Sequence, residues 1–293
     1  MKRFITLLTS VAALALLSCE RIIPFNSEDV DPLITLYTTL QPDSFVEASV
    51  SRSVGILDQG QPLLLDNAQV WAEDSNGIFL DSLYFLGSGK YRAASLVGQE
   101  GQSYQIHAKY PNLTPAYGRA TIPFVPAEGA VDSIEAVEGN LNGPGPIALP
   151  YVSYSFEVID DGRPGYYVIE AYERLRGTST IPNYALEVET DDPYVTGSGF
   201  GQFKWKQRID LSNELFLGGS HTLNIRVYQW EFSGMEILFK LKKVDQATFF
   251  YQSSLDQYQR ANGNPFTQPV SVYSNVIDGL GVVSAEAYRW ILP

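Results

Sequence analysis

A period of two restricts the fold of this chain more than any other feature. Val46, Ala48 and Val50 alternate with Glu47, Ser49 and Ser51. A strand, whose successive side chains point to opposite faces, buries the first set and leaves the second in water. The alternation recurs at Leu223, Ile225 and Val227 against Asn224, Arg226 and Tyr228, and at Ile237, Phe239 and Leu241 against Lys240 and Lys242. Composition points the same way. Charged residues make up only 18% of the chain, while Tyr and Phe, which suit pleated surfaces, number 18 and 15.

Up to Pro123 the alternating runs are short and punctuated. Strands are predicted over Leu33–Leu40, Phe45–Ser53, Ala68–Glu73, Ile78–Phe85, Lys90–Ala94, Ser103–Tyr110 and Ala116–Ile122. Pro42-Asp43 and Asp74-Ser75-Asn76-Gly77 supply turn residues, and Gly87-Ser88-Gly89 supplies backbone freedom. Gly101-Gln102-Ser103-Tyr104, just ahead of a strand, resembles a tyrosine corner. This strand count over residues 33–125 suits an Ig-like or transthyretin-like β-sandwich.

A chain of 293 residues leaves room for a second domain, read here as residues 126–293. Its predicted strands are Val131–Val137, Tyr151–Ile159, Gly165–Leu175, Tyr184–Glu189, Phe200–Ile209, His221–Phe232 and Glu236–Lys243. Gly143-Pro144-Gly145-Pro146 and Asp160-Asp161-Gly162 read as turns. The period then changes. Ala247, Phe250, Tyr251, Ser254, Leu255 and Tyr258 share one face of a helix over residues 245–261. Gln252, Asp256, Gln259 and Arg260 lie opposite, with Phe249 as an apolar intruder. Asp245 is placed to cap this amphipathic helix and Asn262-Gly263 to end it. The aromatic stripe reads as core packing against the sheet. The expected fold is therefore mainly β, with one C-terminal helix.

Residues 1–18 have the layout of a secretory signal. Lys2 and Arg3 form a basic start, and Phe4 to Leu17 is apolar but too short to span a bilayer, which takes about 20 residues. Leu16-Leu17-Ser18-Cys19 looks like a bacterial lipobox, in which the Cys is acylated (palmitate or a similar chain) and becomes the first mature residue. Cys19 is the only cysteine. Its acylation leaves no thiol for a disulfide, a zinc site or a nucleophile. Two or more acyl chains, at roughly 0.8 kcal/mol per buried methylene, anchor a protein stably without spanning. Residues 19–32 read as a tether, kept in solvent by Glu28, Asp29 and Asp31. The formal net charge of −13 becomes more negative once Lys2 and Arg3 are removed. Such a surface repels phosphate backbones, so no nucleic-acid partner is expected.

After the helix come Gly263-Asn264-Pro265-Phe266, then Pro269-Val270-Ser271-Val272-Tyr273-Ser274-Asn275-Val276, then Gly279-Leu280-Gly281-Val282-Val283. This resembles the C-terminal signature of the Bacteroidota lipoprotein family called domain of unknown function 4249. The front half is similar too: the lipobox, Pro42-Asp43, Ala68-Gln69-Val70, Gly89-Lys90-Tyr91, and Gly101 ahead of Tyr104. An aromatic that the family usually carries near Val283 is absent. The resemblance implies no reaction. It implies an outer-membrane lipoprotein, often encoded beside a TonB-dependent transporter. Surface-exported lipoproteins of this group carry acids just after the Cys. Only Glu20 is that close here, which leaves the periplasmic and cell-surface sides both open. The prolines and glycines of the signature read as a structural lock returning the chain to the sheet.

Chemistry is harder to find. There are two histidines, His107 and His221, neither with a second His or a carboxylate at metal-ligand spacing. HExxH, G-x-S-x-G and phosphate-binding glycine loops are absent. Asp160-Asp161 and Asp191-Asp192 abut turn formers, and the turn accounts for both pairs. The loop over residues 191–201 is the better recognition candidate, with Asp191, Asp192, Tyr194 and Phe200 as ligand-binding residues. Trp71, Trp205 and Trp230 could serve similarly. No catalytic residue, metal ligand or cofactor is assigned. The expected role is a non-catalytic accessory or ligand-capture lipoprotein of a TonB-dependent barrel. The alternatives are a stand-alone glycan- or peptide-binding module and a carboxylate-dependent hydrolase.

Overall fold

The structure, a computed structural model, describes residues 31–55, 62–137, 150–180, 184–195, 207–228, 234–261, 268 and 270–293. The strands found there are β1 (Ile34–Leu40), β2 (Phe45–Arg52), β3 (Leu63–Leu64), β4 (Gln69–Asp74), β5 (Phe79–Gly87), β6 (Lys90–Val97), β7 (Ser103–Lys109) and β8 (Ala116–Thr121). They continue with β9 (Val131–Val137), β10 (Tyr151–Ile159), β11 (Tyr166–Leu175), β12 (Val188–Glu189), β13 (Ile209–Ser212), β14 (Ser220–Tyr228) and β15 (Met235–Val244). Helix α1 (Gln246–Ala261) and the last strand, β16 (Leu280–Ile291), complete the chain.

The long sheet runs β13-β11-β15-β16-β1-β2-β6-β5-β4-β7-β8, with β3 beside β2, and a four-stranded sheet runs β12-β14-β10-β9. The long sheet curls so that β8 packs over β1 and β16. Ile34, Leu36, Val50, Tyr91, Ile106 and Ile122 fill the space inside. A second core, containing Phe156, Tyr167, Ile169, Ile225, Phe239 and Leu241, lies between the short sheet and the β13-β11-β15 end of the long one. The fold is thus mainly β, sandwich-like, with one C-terminal helix. Tyr104 makes the bond of a tyrosine corner: its hydroxyl accepts from the backbone N–H of Gln99, five residues upstream, at 3.1 Å, tying the loop to the strand behind it.

Three sequence expectations need correction. First, the signature read as a structural lock returning the chain to the sheet runs into a strand that the alternation did not predict: residues 280–291 form β16, twelve residues long. β16 runs parallel to β1 and antiparallel to β15, and it contributes Val283 and Ala285 to the first core and Ile291 to the second. Gly281 permits this approach: at φ 104° it lies against the Leu36 backbone, where a Cβ would collide. Asn275 latches it, donating from Nδ2 to the Val283 carbonyl (2.7 Å) and accepting from the Val283 N–H (2.9 Å). Second, Tyr184–Glu189 forms a strand only at Val188–Glu189, and of Phe200–Ile209 only the end lies among the described residues, where β13 begins at Ile209. Third, Phe249 is not on a wet face. It is buried with Val168 and Val244 and stacks on Tyr166 at 4.0 Å, whereas Phe250 and Tyr258 are exposed. The first turn of α1 presses into the sheet and the rest lies at the surface. Asp245 caps the helix as expected, its Oδ1 accepting from the Thr248 N–H (2.9 Å) and hydroxyl (2.6 Å).

Candidate functional site

Three segments converge on a cleft of about 800 Å³. The β10–β11 turn brings Asp161, Arg163 and Tyr166; the 3-10 turn Asn213–Leu215 brings Asn213 and Glu214; the β15–α1 junction brings Lys243 and Asp245. Phe124, Tyr273 and Asn275 also line it. β15 alternates inward Leu241 with Lys242, and this places the next inward residue, Lys243, at the rim of the second core. Its side chain is 4% exposed.

A charge this buried must be paired. The Lys243 ammonium donates to Asp161 Oδ1 and to the Arg163 carbonyl (3.2 Å), and lies 3.7 Å from Asp160 Oδ1. Asp160 is a hub. Its Oδ1 accepts from the Tyr167 hydroxyl (2.8 Å) and Asn213 Nδ2 (2.6 Å), and its Oδ2 from the Gly162 (2.8 Å) and Gly218 (2.7 Å) N–H groups. Burial alone would raise its carboxyl pKa, but these donors outweigh that and hold it below the usual carboxylate range. Asp161 is raised by burial and more strongly lowered by Lys243 and Arg163. Burial, then the bond to Asp160, push the Tyr167 hydroxyl far up, so it stays a donor. Arg163 lies over the Phe124 ring at 3.9 Å. Asp160 and Asp161 therefore arrive as satisfied carboxylates, engaged by cations and backbone, rather than as a free acid and base.

The 191–194 segment builds a second feature beside this one. His221 Nε2 and Asp192 Oδ2 are 2.8 Å apart, and Asp192 Oδ1 accepts from the Tyr194 N–H at 2.9 Å. The Tyr194 ring meets His221 edge-on at 5.0 Å, and Phe216 stacks on the His221 ring at 5.4 Å and also touches Tyr167. The 3-10 turn thus links the features, since Asn213 lines the cleft and Phe216 supports His221. Asp191 is exposed beside them, while Phe200 lies outside the described residues, as do Cys19, Trp205 and Trp230. Trp71 is half-buried. It stacks on His107 at 4.9 Å, His107 stacks on Tyr117 at 5.0 Å, and the indole N–H donates to Glu73 Oε1 at 2.7 Å.

Sequence reading singled out Asp192 and Tyr194 but missed their partner His221, because the two lie 29 positions apart. It also missed Lys243 and Asn213, whose signal is faint: a lysine at an inward position of an alternating strand, and an Asn directly after a strand. Among the described residues no three His, Cys, Asp or Glu side chains are grouped to hold a metal. What the arrangement offers is a fixed cleft with aromatic walls and polar groups already oriented.

A family model described as a domain of unknown function (DUF4249) matches residues 20–289. No curated protein matches the chain. Among solved structures, a DUF4785 family protein from Legionella pneumophila is similar at 9% identity with a TM-score of 0.25. That match covers 74% of this chain and 53% of the other, so the chain spans about half the length of that protein, and so weak a likeness carries no argument.

Proposed function

The chain belongs to the DUF4249 family, and on that premise we propose that it is a non-catalytic lipoprotein, anchored through Cys19 to the outer membrane, that captures a ligand for a TonB-dependent barrel. The observation that carries the binding half of this reading is the state of the cleft's acids. Asp160 and Asp161 are saturated by Lys243, Arg163, Asn213, Tyr167 and backbone N–H groups. Hydrolysis by paired carboxylates needs one acid that gives up a proton and one that attacks or activates water. With both carboxylates held ionised and their oxygens engaged, neither has a proton to give to a leaving group, whereas a preorganised cleft binds without the cost of ordering itself. The lipobox supports the anchor, and the family resemblance supports the barrel partner.

The test is a tagged pull-down from detergent-solubilised outer membranes with mass spectrometry. A stoichiometric TonB-dependent barrel is expected. Recovery of the lipoprotein alone, with Cys19 still required for membrane retention, would overturn the barrel partnership and leave a stand-alone binding module. Release of the unaltered protein into the soluble fraction would overturn the anchor itself.

A further inference from the structure

The β-sandwich has two ends, and the strand pairings say which side chains share each. β1 begins directly after the tether. At that end Ile34 pairs with Arg52 and Thr35 with both Ser51 and Leu280. Ser51 and Arg52 pair in turn with Leu64 and Leu63. Leu64 lies against Gly89 in the β5–β6 turn, whose flanks are Phe85, Leu86 and Lys90. One continuous row across the sheet therefore carries Leu280, Leu63, Leu64, Phe85 and Leu86, all between 43% and 57% exposed. Ile277, ahead of the Gly279 that touches the Ile34 carbonyl, adds a sixth at 50%. Contiguous exposed apolar side chains of this kind mark an interaction surface.

From this coincidence of tether exit and apolar rim we infer that this end of the sandwich rests on the lipid bilayer, with Leu63, Leu64, Phe85, Leu86, Ile277 and Leu280 dipping into the boundary between headgroups and acyl chains. The inference rests on the anchor proposed above. Thirteen residues lie between Cys19 and Leu33, so fourteen Cα–Cα steps join them, a reach of up to roughly 48 Å at ~3.4 Å per step. A tether of that length limits distance but not orientation. The rim supplies the orientation, because shallow apolar insertion adds to acyl anchoring at the same interface. It turns the β1 N-terminus to the membrane and Phe45 and Ile78–Leu80, at the other end of the strands, away from it.

β5 provides its own control. Phe79 and Leu86 are 59% and 57% exposed on one strand, about 23 Å apart at ~3.3 Å per residue. The acylated Cys19 thiol is unavailable, so a cysteine introduced by Leu86→Cys or Phe79→Cys carries a single environment-sensitive fluorophore. The full lipidated chain is placed in vesicles of phosphatidylcholine and phosphatidylethanolamine containing nitroxide-labelled lipid. Blue-shifted emission and lipid quenching are expected at 86 and not at 79. Adding Leu64→Asp, with a probe at Leu280→Cys, should cut quenching there by about threefold. Equal quenching at 79 and 86, or none at 86, would overturn the inference; so would a cross-linked dimer through position 86, which would make the rim a contact between copies. A protein that never associates with the vesicles at all fails the anchor reading instead, and the two failures are thereby separable.

Discussion

The two cores differ in how they treat charge. In the first, the buried polar side chains among the described residues are Thr38, Gln105 and Ser284, none ionisable. In the region around the second, Asp160, Asp210, Lys242, Lys243 and Glu286 are all buried. Lys242 donates to Glu170 at 2.8 Å and lies 3.6 Å from Glu286, and Lys243 sits between Asp160 and Asp161. Apolar burial is non-directional and tolerant, while a buried charge depends on each partner being in place. The first sandwich is thus a scaffold, and the second is the part whose polar architecture shapes a cleft. The charged cluster is also where sensitivity to a single substitution concentrates.

The largest expected effect comes from breaking that cluster. Lys243→Met should destabilise the protein by about 3–5 kcal/mol, because it removes the one buried cation between Asp160 and Asp161 and leaves only the more exposed Arg163 beside Asp161. Adding Asp161→Asn should recover part of the loss. Ile106→Val in the first core, by contrast, should cost only about 1 kcal/mol. Chemical denaturation of the three variants checks both numbers, and equal losses from Lys243→Met and Ile106→Val would abolish the contrast. Next in size is the seam between the regions. Gly281→Ala forces a Cβ against the Leu36 backbone at positive φ and should cost about 2–3 kcal/mol. Because β16 serves both cores, hydrogen exchange in this variant should rise in β1 and in β15 together.

Removing the helix cap with Asp245→Ala should cost about 1 kcal/mol, read as a fall in Tm. Acid should then separate the regions by pH. Burial, opposed by Glu73, lowers the pKa of His107 from 6.5, so protonation is disfavoured in the folded state and stability is lost as pH falls below about 6.5. Asp160 and Asp161 are depressed below 3.8; their contribution is intact above that value and is lost as pH falls through the folded pKa. On acidification, amides of β4, β7 and β8 should lose exchange protection first, and those of the β10–β11 turn only below about pH 4. His107→Gln should remove the earlier step.

Much of this architecture is legible locally. Alternation marks β2, β14 and β15 because the strand period is a property of the backbone, and Asp245 reveals the helix start because capping acts within one turn. The candidate site was half visible. Asp192 and Tyr194 stand out by their turn-rich loop, but His221 is read as the mere opening of a strand. Phe249 was misassigned because helical periodicity ranks faces by average polarity, whereas Tyr166 and Val168 of a distant strand decide which face is covered.

Order along the chain is enough for the strand-rich class, the C-terminal helix with its cap, the family, and a leader with the pattern of an acylated anchor. Each depends on residues within a few positions of one another, or on a signature read in order. Long-range packing alone places the last strand beside the first, answers Lys243 with Asp160 and Asp161, and brings leucines of β3, β5 and β16 to the end of the sandwich where β1 begins. Those are contacts across large separations, set by which pairing buries the most apolar surface while satisfying every buried polar group, and no local pattern records that competition.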